Sequence, residues 1–224
     1  MTYTFQFSVV LEKLPYLLGG AAISLEIATL AFGLGALIGL VGALGKAYGP
    51  KIVRRLVGGY VVFFTNTPAL VQIFFLFYAL PDVGILLSPM TAVVIGMTLN
   101  AGAYLTEILR GGIASVRKAE LESAEVLGMS FGQTVRFVIL PHIAKTIYAP
   151  LSNFFIWQVL GSSLAAVFGV EELTGRAINI STANLRSIET FVVTAVIYVV
   201  ITFVASLGLA GVGRWAFRVK ARVF

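Results

Sequence analysis

Five stretches of this chain, residues 16–44, 56–80, 89–109, 143–168 and 188–212, are apolar enough, and long enough, to cross a bilayer core as helices of about 20 residues. In lipid every backbone N–H and C=O must be satisfied within the protein, and a helix does this inside one segment. The feature predicts an all-α integral membrane protein, a bundle of five transmembrane helices forming a single domain over residues 1–224. Composition agrees: 58% of residues are apolar, 12% are charged and the mean hydropathy is +0.96, whereas a soluble domain is about one quarter charged. A soluble enzyme is excluded. With no cysteine and one histidine, His142, neither a disulfide framework nor a thiolate or protein-only zinc site has its ligands. No catalytic residue, metal site or bound cofactor is expected. The N-terminal Met-Thr-Tyr-Thr-Phe lacks a basic region and a small-residue cleavage site, so the first span is expected to be retained.

Basic residues set orientation, because short cytoplasmic loops carry the excess of Lys and Arg. Lys46, Lys51, Arg54 and Arg55 follow the first span; Arg110, Arg117, Lys118, Arg136 and Lys145 follow the third; Arg214, Arg218, Lys220 and Arg222 end the chain. These are 13 of the 16 basic residues. The other three, Lys13, Arg176 and Arg186, share segments with Glu12, Asp82, Glu171, Glu172 and Glu189. Alternate loops thus predict the N-terminus outside and the C-terminus in the cytoplasm. The net charge of +6 becomes a topology signal set against membrane lipid, and no nucleic-acid partner is expected.

The longest polar stretch, 110–142, is patterned. Gly111-Gly112 is expected to stop the third helix. Leu121, Ala124 and Leu127 then recur at i, i+3 and i+6, giving a short helix over 120–127 one apolar face, flanked by Glu122 and Glu125. Gly128 ends it. Ser130 with Gln133 three residues on is a capping-box pattern, starting a second helix that runs to Leu140-Pro141 and bends into the fourth span. By spacing alone, a solvated loop and a docking surface are both open readings.

Glu122-Ser123-Ala124, Gly128 four residues on, then Val138 and Leu140-Pro141 resemble the EAA motif of permease subunits of ATP-binding-cassette importers, with Ser123 and Val138 as mild departures. Tyr104, Glu107 and Arg110-Gly111-Gly112-Ile113 resemble the Y-x-x-E-I-x-R-G-G-I of the polar amino-acid permeases. Gly169-Val170 and Glu172-Leu173-Thr174 resemble their G-V-P-E-L-T, with Glu171 for Pro. The resemblance implies a type I importer permease in the bacterial cytoplasmic (inner) membrane. Its coupling loop, carried by Glu120, Leu121, Glu122, Ser123, Ala124, Leu127, Gly128, Leu140 and Pro141, would dock a dimer of ATPase subunits. It further implies a second permease subunit, identical or similar, and an extracytoplasmic solute-binding protein. ATP and Mg would sit on the ATPase subunits. A P-loop needs G-x-x-x-x-G-K-[ST], and here Leu40 stands at the first Gly and Ala47 after Gly45-Lys46, so this chain holds no motor of its own.

Polar groups inside the spans are the candidates for the substrate path. Thr65-Asn66-Thr67-Pro68 interrupts the second span, and the proline frees backbone groups that need partners. Thr67 and Pro68 match the family's R-G-T-P while its Arg is missing; with Gln72 they read as a cavity-lining kink or as packing. Asn153, Trp157 and Gly161 follow at i, i+4 and i+8, with Gln158, Ser162 and Ser163 alongside, and are expected to form one polar, small face. The family's L-K-D-[ST]-S-L aligns with 159–164, so its Lys and Asp are absent at Leu160 and Gly161. Either this subunit handles another kind of ligand, or a partner subunit binds it. Asn100 and Tyr104, one turn apart, offer neutral hydrogen bonds to a ligand. Glu26, deep in the first span, reads either as a structural carboxylate or as a substrate or coupling group. Glu107 reads as an ion pair with Arg110. The rival class is a self-sufficient ion-coupled carrier or channel using Glu26 and Glu107; a membrane-embedded enzyme has too few partners for a site.

Overall fold

The computed structural model describes residues 4–217, which hold helices and no strand. In chain order these are α1 (Phe7–Leu11), α2 (Leu14–Tyr48), α3 (Lys51–Thr65) and α4 (Ala69–Phe74), the last continued by a π-helical turn (Phe75–Ala79) and a 3-10 turn (Leu80–Val83). There follow α5 (Pro89–Ala114), α6 (Lys118–Val126), α7 (Phe131–Thr134), a π-helical turn (Val135–Ile139), α8 (Leu140–Gly161), a 3-10 segment (Ser162–Phe168), α9 (Leu173–Asn184) and α10 (Ser187–Phe217).

Four helical runs are long and apolar enough to cross a membrane: α2, α5, the run Phe131–Phe168, and α10. The stretch 56–80 is not one helix. It is α3 and α4 with its continuation, which pass the length and hydropathy test only together and bend by 102° at the break. The cause is local: Pro68 lacks an N–H and disfavours the helical conformation at Thr67. The bundle therefore has four candidate spans, or five if the bent pair is one.

One expectation for the loop fails. Gly111-Gly112 does not stop the third helix, for α5 runs on to Ala114. Gly112 is instead a point of close approach, where a Cβ would collide with Ile147 of α8. At Leu140-Pro141, where a bend into the fourth span is expected, helical structure continues without a break. Pro141 falls in the first turn of α8, directly after the π-helical turn Val135–Ile139, and such a turn breaks the regular i→i−4 ladder where a proline can give no N–H.

The chain divides into two compact units. The first comprises Met1–Phe32, Ala69–Met97 and Phe155–Ala205. One core cluster in it joins Ile27, Ala31, Ile73, Val93, Met97, Ala165, Phe168 and Val170, with Phe74 and Phe77 edge-on to Phe168 at 5.0 and 5.7 Å. Another joins Leu17 and Ala21 of α2 to Leu173, Ala177 and Ile180 of α9 and Ile197 of α10. Glu172, fully buried, fastens this second cluster. It caps α9 by accepting from the Thr174 and Gly175 N–H groups at 3.0 and 2.9 Å, and takes the Ser24 and Tyr198 hydroxyls at 2.9 and 3.0 Å. Gly20 makes room, since a Cβ there would meet Leu173 Cα at 2.9 Å.

The second unit comprises Gly33–Pro68, Thr98–Phe154 and Ser206–Phe224. Here α2 lies against α5 through Gly35, Gly39 and Gly42. A Cβ at either of the first two would meet Ala101 or Leu105 Cβ at 2.7 Å, and one at Gly42 would collide with Thr106. Small residues allow such approach between membrane helices. The outward face of α10 carries Val192, Val196, Val199, Val200, Phe203, Val204 and Leu207, all exposed, and only 11% of its most apolar window is buried. Exposure of that much apolar surface fits lipid, not water. The tail residues Arg218, Lys220 and Arg222 lie outside the described residues.

Candidate functional site

The loop after α5 is built for rigidity. α6 starts after Arg117, whose backbone is extended, and ends in a left-handed Gly128 with φ +70°. Met129 N–H donates to Ala124 O at 3.0 Å and Gly128 N–H to Glu125 O at 2.9 Å, the paired bonds of a glycine-terminated helix. Ser130 then starts α7 with a reciprocal cap: Ser130 N–H donates to Gln133 Oε1 at 2.8 Å, and Gln133 N–H to Ser130 Oγ at 3.4 Å.

Of the face expected from Leu121, Ala124 and Leu127, only Ala124 is buried. Leu127 is the C-cap residue and 77% exposed, and Leu121 is 38% exposed. With only nine residues and a glycine stop, α6 has too little length to bury a whole stripe; Ala124 roots it and the rest is displayed. Val126 at 87% and Phe131 at 83% exposure are displayed like Leu127; Val126 and Leu127 lie outside every candidate span, and Phe131 begins the run Phe131–Phe168. Sequence reasoning missed Val126 and Phe131, although large apolar residues in a polar loop were the available signal. Leu140 and Pro141 are exposed too. Glu122 pairs with Lys118 at 3.4 Å, and Ser123 Oγ donates to Ala119 O at 2.7 Å. Arg117 bonds Glu120 Oε1 through Nε and Nη2 at 3.0 and 2.7 Å. That bond, assisted by the charge of His142, holds the Glu120 carboxyl below its usual value against desolvation.

At the break in the second unit, five successive carbonyls at the end of α3 are each served by a side chain, that of Val62 also by the Asn66 N–H at 3.2 Å. Thr65 Oγ1 donates to Val61 O, Asn66 Nδ2 to Val62 O and Thr67 Oγ1 to Phe63 O, at 2.7 to 2.8 Å. Asn100 Nδ2 of α5 donates to Phe64 O at 3.0 Å and Tyr104 OH to Thr65 O at 3.3 Å. Asn100 and Tyr104, expected to offer neutral hydrogen bonds to a ligand, each direct one donor to the broken helix. Glu107 accepts from Arg110 Nε at 2.8 Å through one oxygen and from Lys46 Nζ through the other. The ion pair with Arg110 is present, and Lys46 joins it.

α8 and the 3-10 segment do not present one polar face. Gln158 and Ser162 are buried, whereas Asn153 and Trp157 are exposed. Helix geometry explains this, since adjacent residues lie about 100° apart. Ser162 and Ser163 donate back to Val159 O and Leu160 O at 2.7 and 2.8 Å. Gln158 Nε2 is buried with no hydrogen-bond partner among the described residues, and Gln72 on α4 is buried as well. Gly161 has open space: only Met97 Cε lies within 4 Å of a Cβ built there, at 3.8 Å. Glu26 is exposed on α2 and makes no hydrogen bond or ion pair among the described residues. Among those residues, too, no group of His, Cys, Asp and Glu could hold a metal ion.

Residues 31–216 match the model of a family described as "binding-protein-dependent transport system inner membrane component". The chain is 34% identical over 204 residues to the glutamine transport system permease protein GlnP of Escherichia coli (strain K12), across 90% of this chain and 93% of that protein. It is 36% identical over 194 residues to the L-cystine transport system permease protein TcyB of Bacillus subtilis (strain 168), across 86% and 83% respectively. In three dimensions it is similar to a chain from a crystal structure of an amino acid ABC transporter with histidines, with a TM-score of 0.88 and 31% identity over 95% of this chain and all of that one. A TM-score of 0.68 at 17% identity to the MetNI methionine ABC transporter, in an inward-facing conformation, shows a shared fold.

Proposed function

Because the chain belongs to the family of binding-protein-dependent transport inner membrane components, we propose that it forms the translocation path for a polar amino acid or close derivative. Family membership makes it a multi-pass subunit of the bacterial inner membrane and a transport permease, with ATP hydrolysed by a separate ATPase subunit. Its cargo is delivered by a solute-binding protein from outside, and it pairs with a second permease subunit, identical or similar. Five spans, the bent pair counted as one, put the N-terminus outside and the C-terminus in the cytoplasm. The chain itself binds no cofactor.

One observation carries this reading: Val126 and Leu127 stand exposed on a capped, glycine-terminated projection outside every candidate span, with Phe131 exposed at the very start of the run Phe131–Phe168. An apolar patch held out into water marks a docking surface, and the ATPase dimer is the occupant the family supplies. Docking takes in Glu120 to Ala124, Leu127, Gly128, Leu140 and Pro141. For the substrate path, the candidates within the first unit are Gln72, Trp157, Gln158, Gly161, Ser162 and Ser163, and within the second, taken by itself, Thr67, Pro68, Asn100 and Tyr104. Gln158, buried with an unused donor, is the strongest of these, because an unpaired buried amide seeks a partner. Glu26 faces the second permease subunit, since a carboxylate on an exposed face of a span needs polar company. The ion-coupled alternative loses Glu107, both of whose oxygens are held by cations.

The test is reconstitution in proteoliposomes with the ATPase and binding protein encoded beside this chain, reading ATP-driven uptake across a panel of amino acids. Gly128→Val forces a β-branched residue into left-handed backbone, costing about 1–2 kcal/mol, and is expected to abolish ATPase association and uptake. Uptake without ATPase subunits, or unimpaired by Gly128→Val, sinks the proposal. Topology is read separately: the chain has no cysteine, so Val126→Cys should label only from the cytoplasmic side and Leu185→Cys only from outside.

A further inference from the structure

Glu171 lies in the stretch 169–186, between the run Phe131–Phe168 and α10 and outside every candidate span, and it is the residue that departs from the G-V-P-E-L-T pattern. A proline offers no side-chain acceptor; the carboxylate that replaces it is held in place by neutral donors. Tyr16 OH, from the first turn of α2, donates to Glu171 Oε2 at 3.2 Å. Asn179 Nδ2, midway along α9, donates to Glu171 Oε1 at 3.1 Å and to the Tyr16 oxygen at 3.2 Å. A phenol has one proton to donate and a primary amide two, so the three bonds use them all and close a ring between the three side chains. A carboxylate has about four acceptor positions, and two of them are taken here. The neighbouring cation bonds elsewhere: Arg176 donates through Nε to Glu171 O at 3.0 Å and through Nη1 to Tyr16 O at 2.7 Å, with its guanidinium 4.5 Å from the centre of the Tyr16 ring. Among the described residues Glu171 makes no ion pair.

A cavity of about 120 Å³ is lined by Glu171 and Asn179 together with Ala166, Val170 and Ile178. Pockets for free small molecules span roughly 300–1,000 Å³, so this one has room for the end of a single side chain. Its lining joins a carboxylate and an amide to apolar groups, which suits a long basic side chain with an apolar stem and a charged head. Glu171, Ile178 and Asn179 are exposed, so the seat opens to solution. The other carboxylate of the stretch, Glu172, is buried among its own donors, which leaves Glu171 to meet a cation from outside the chain.

We infer that Glu171 and the cavity beside it seat one Lys or Arg side chain of the solute-binding protein. The inference rests on the importer reading and the outward topology proposed above, and it adds a contact by which this chain selects its own binding protein. A loop outside every span faces the aqueous compartment in which that partner moves. The carboxylate is ordered before the partner arrives, so little further ordering is needed on docking, and its charge steers the encounter.

The test uses the full chain, assembled in lipid nanodiscs with the ATPase and any second permease encoded beside it, and the cargo-loaded binding protein from the same source. Affinity and association rate are measured at low and high salt. Glu171→Gln is expected to weaken binding about three- to tenfold, as for a pair between fully exposed and buried, and to flatten the fall of the association rate with salt. Glu171→Lys should weaken it further, and one Lys→Glu or Arg→Glu reversal on the binding protein should restore binding to that variant while weakening binding to the wild type. Local loosening of the loop would produce neither the salt effect nor the restoration. A photoreactive benzoylphenylalanine at Ile178 is expected to cross-link to the binding protein. Equal affinity and salt dependence in wild type and Glu171→Gln, no restoring reversal, or a cross-link confined to a permease subunit overturns the inference. A wild-type assembly that does not bind the binding protein at all fails the importer reading itself, whereas wild-type binding that the Glu171 variants leave unchanged fails this inference alone.

Discussion

Two glutamates, one in each unit, solve the same electrostatic problem in opposite ways. Glu172 is fully buried and held by neutral donors alone, two backbone N–H groups and two hydroxyls. Glu120 is partly exposed and held by Arg117, with His142 Nδ1 3.1 Å from its other oxygen. A buried carboxylate with four directed donors is a fixed tie, since each donor strands if the carboxylate goes. A surface carboxylate between ionisable partners answers to pH. The first arrangement suits an element that must stay docked on α2 and α10; the second suits the root of a projection that transmits motion.

The largest break in this contrast comes from Glu172→Leu, which leaves four donors unpaired and is expected to cost about 3–5 kcal/mol, read as unfolding in mixed micelles. Glu172→Gln should cost less, because it keeps one acceptor oxygen. If the two substitutions cost the same, the four donors are not what fastens α9. Ser130→Ala, beside the Glu120 cluster, is expected to cost about 1 kcal/mol, seen as faster amide exchange confined to the first turn of α7. Acid sharpens the comparison further. The lowered carboxyl of Glu120 contributes stability that is present above its unfolded-state value and is lost as pH falls through the folded one. Acid titration of loop exchange should therefore show a loss in the wild type that is absent in Glu120→Gln; a loss of equal size in both would remove Glu120 from the account. The smallest expected structural effect is that of Gly161→Asp, which meets nothing closer than Met97 Cε at 3.8 Å. The fold should be unchanged, while uptake shifts toward cationic amino acids if Gly161 lines the path.

Much of the α6 region was legible beforehand. The capping box at Ser130, the stop at Gly128 and the pairing of Glu107 with Arg110 are local patterns, set by residues within four positions of one another, and local geometry suffices to read them. The tie between Glu120 and His142 was not legible, because it closes over 22 positions and neither residue belongs to a periodic pattern. Gly111-Gly112 misled for the same reason. A glycine pair ends a helix by default, but here Ile147 of another helix needs the space. Asn100 and Tyr104 were correctly read as polar and one turn apart, yet their partners are the carbonyls of a different helix.

By itself the sequence determined the solvent, the helical class, the hydropathy pattern of the candidate spans and the site of the projection, since each depends on composition or on spacing within a few residues. Tertiary structure decided what each polar group does. It sent one donor each of Asn100 and Tyr104 to the broken helix, turned Gln158 inward and Trp157 outward, buried Glu172 among four donors, and set His142 beside Ser115 and Glu120. Hydrogen bonds are short and directional, so which pairs form depends on where packing brings groups that lie far apart in the chain.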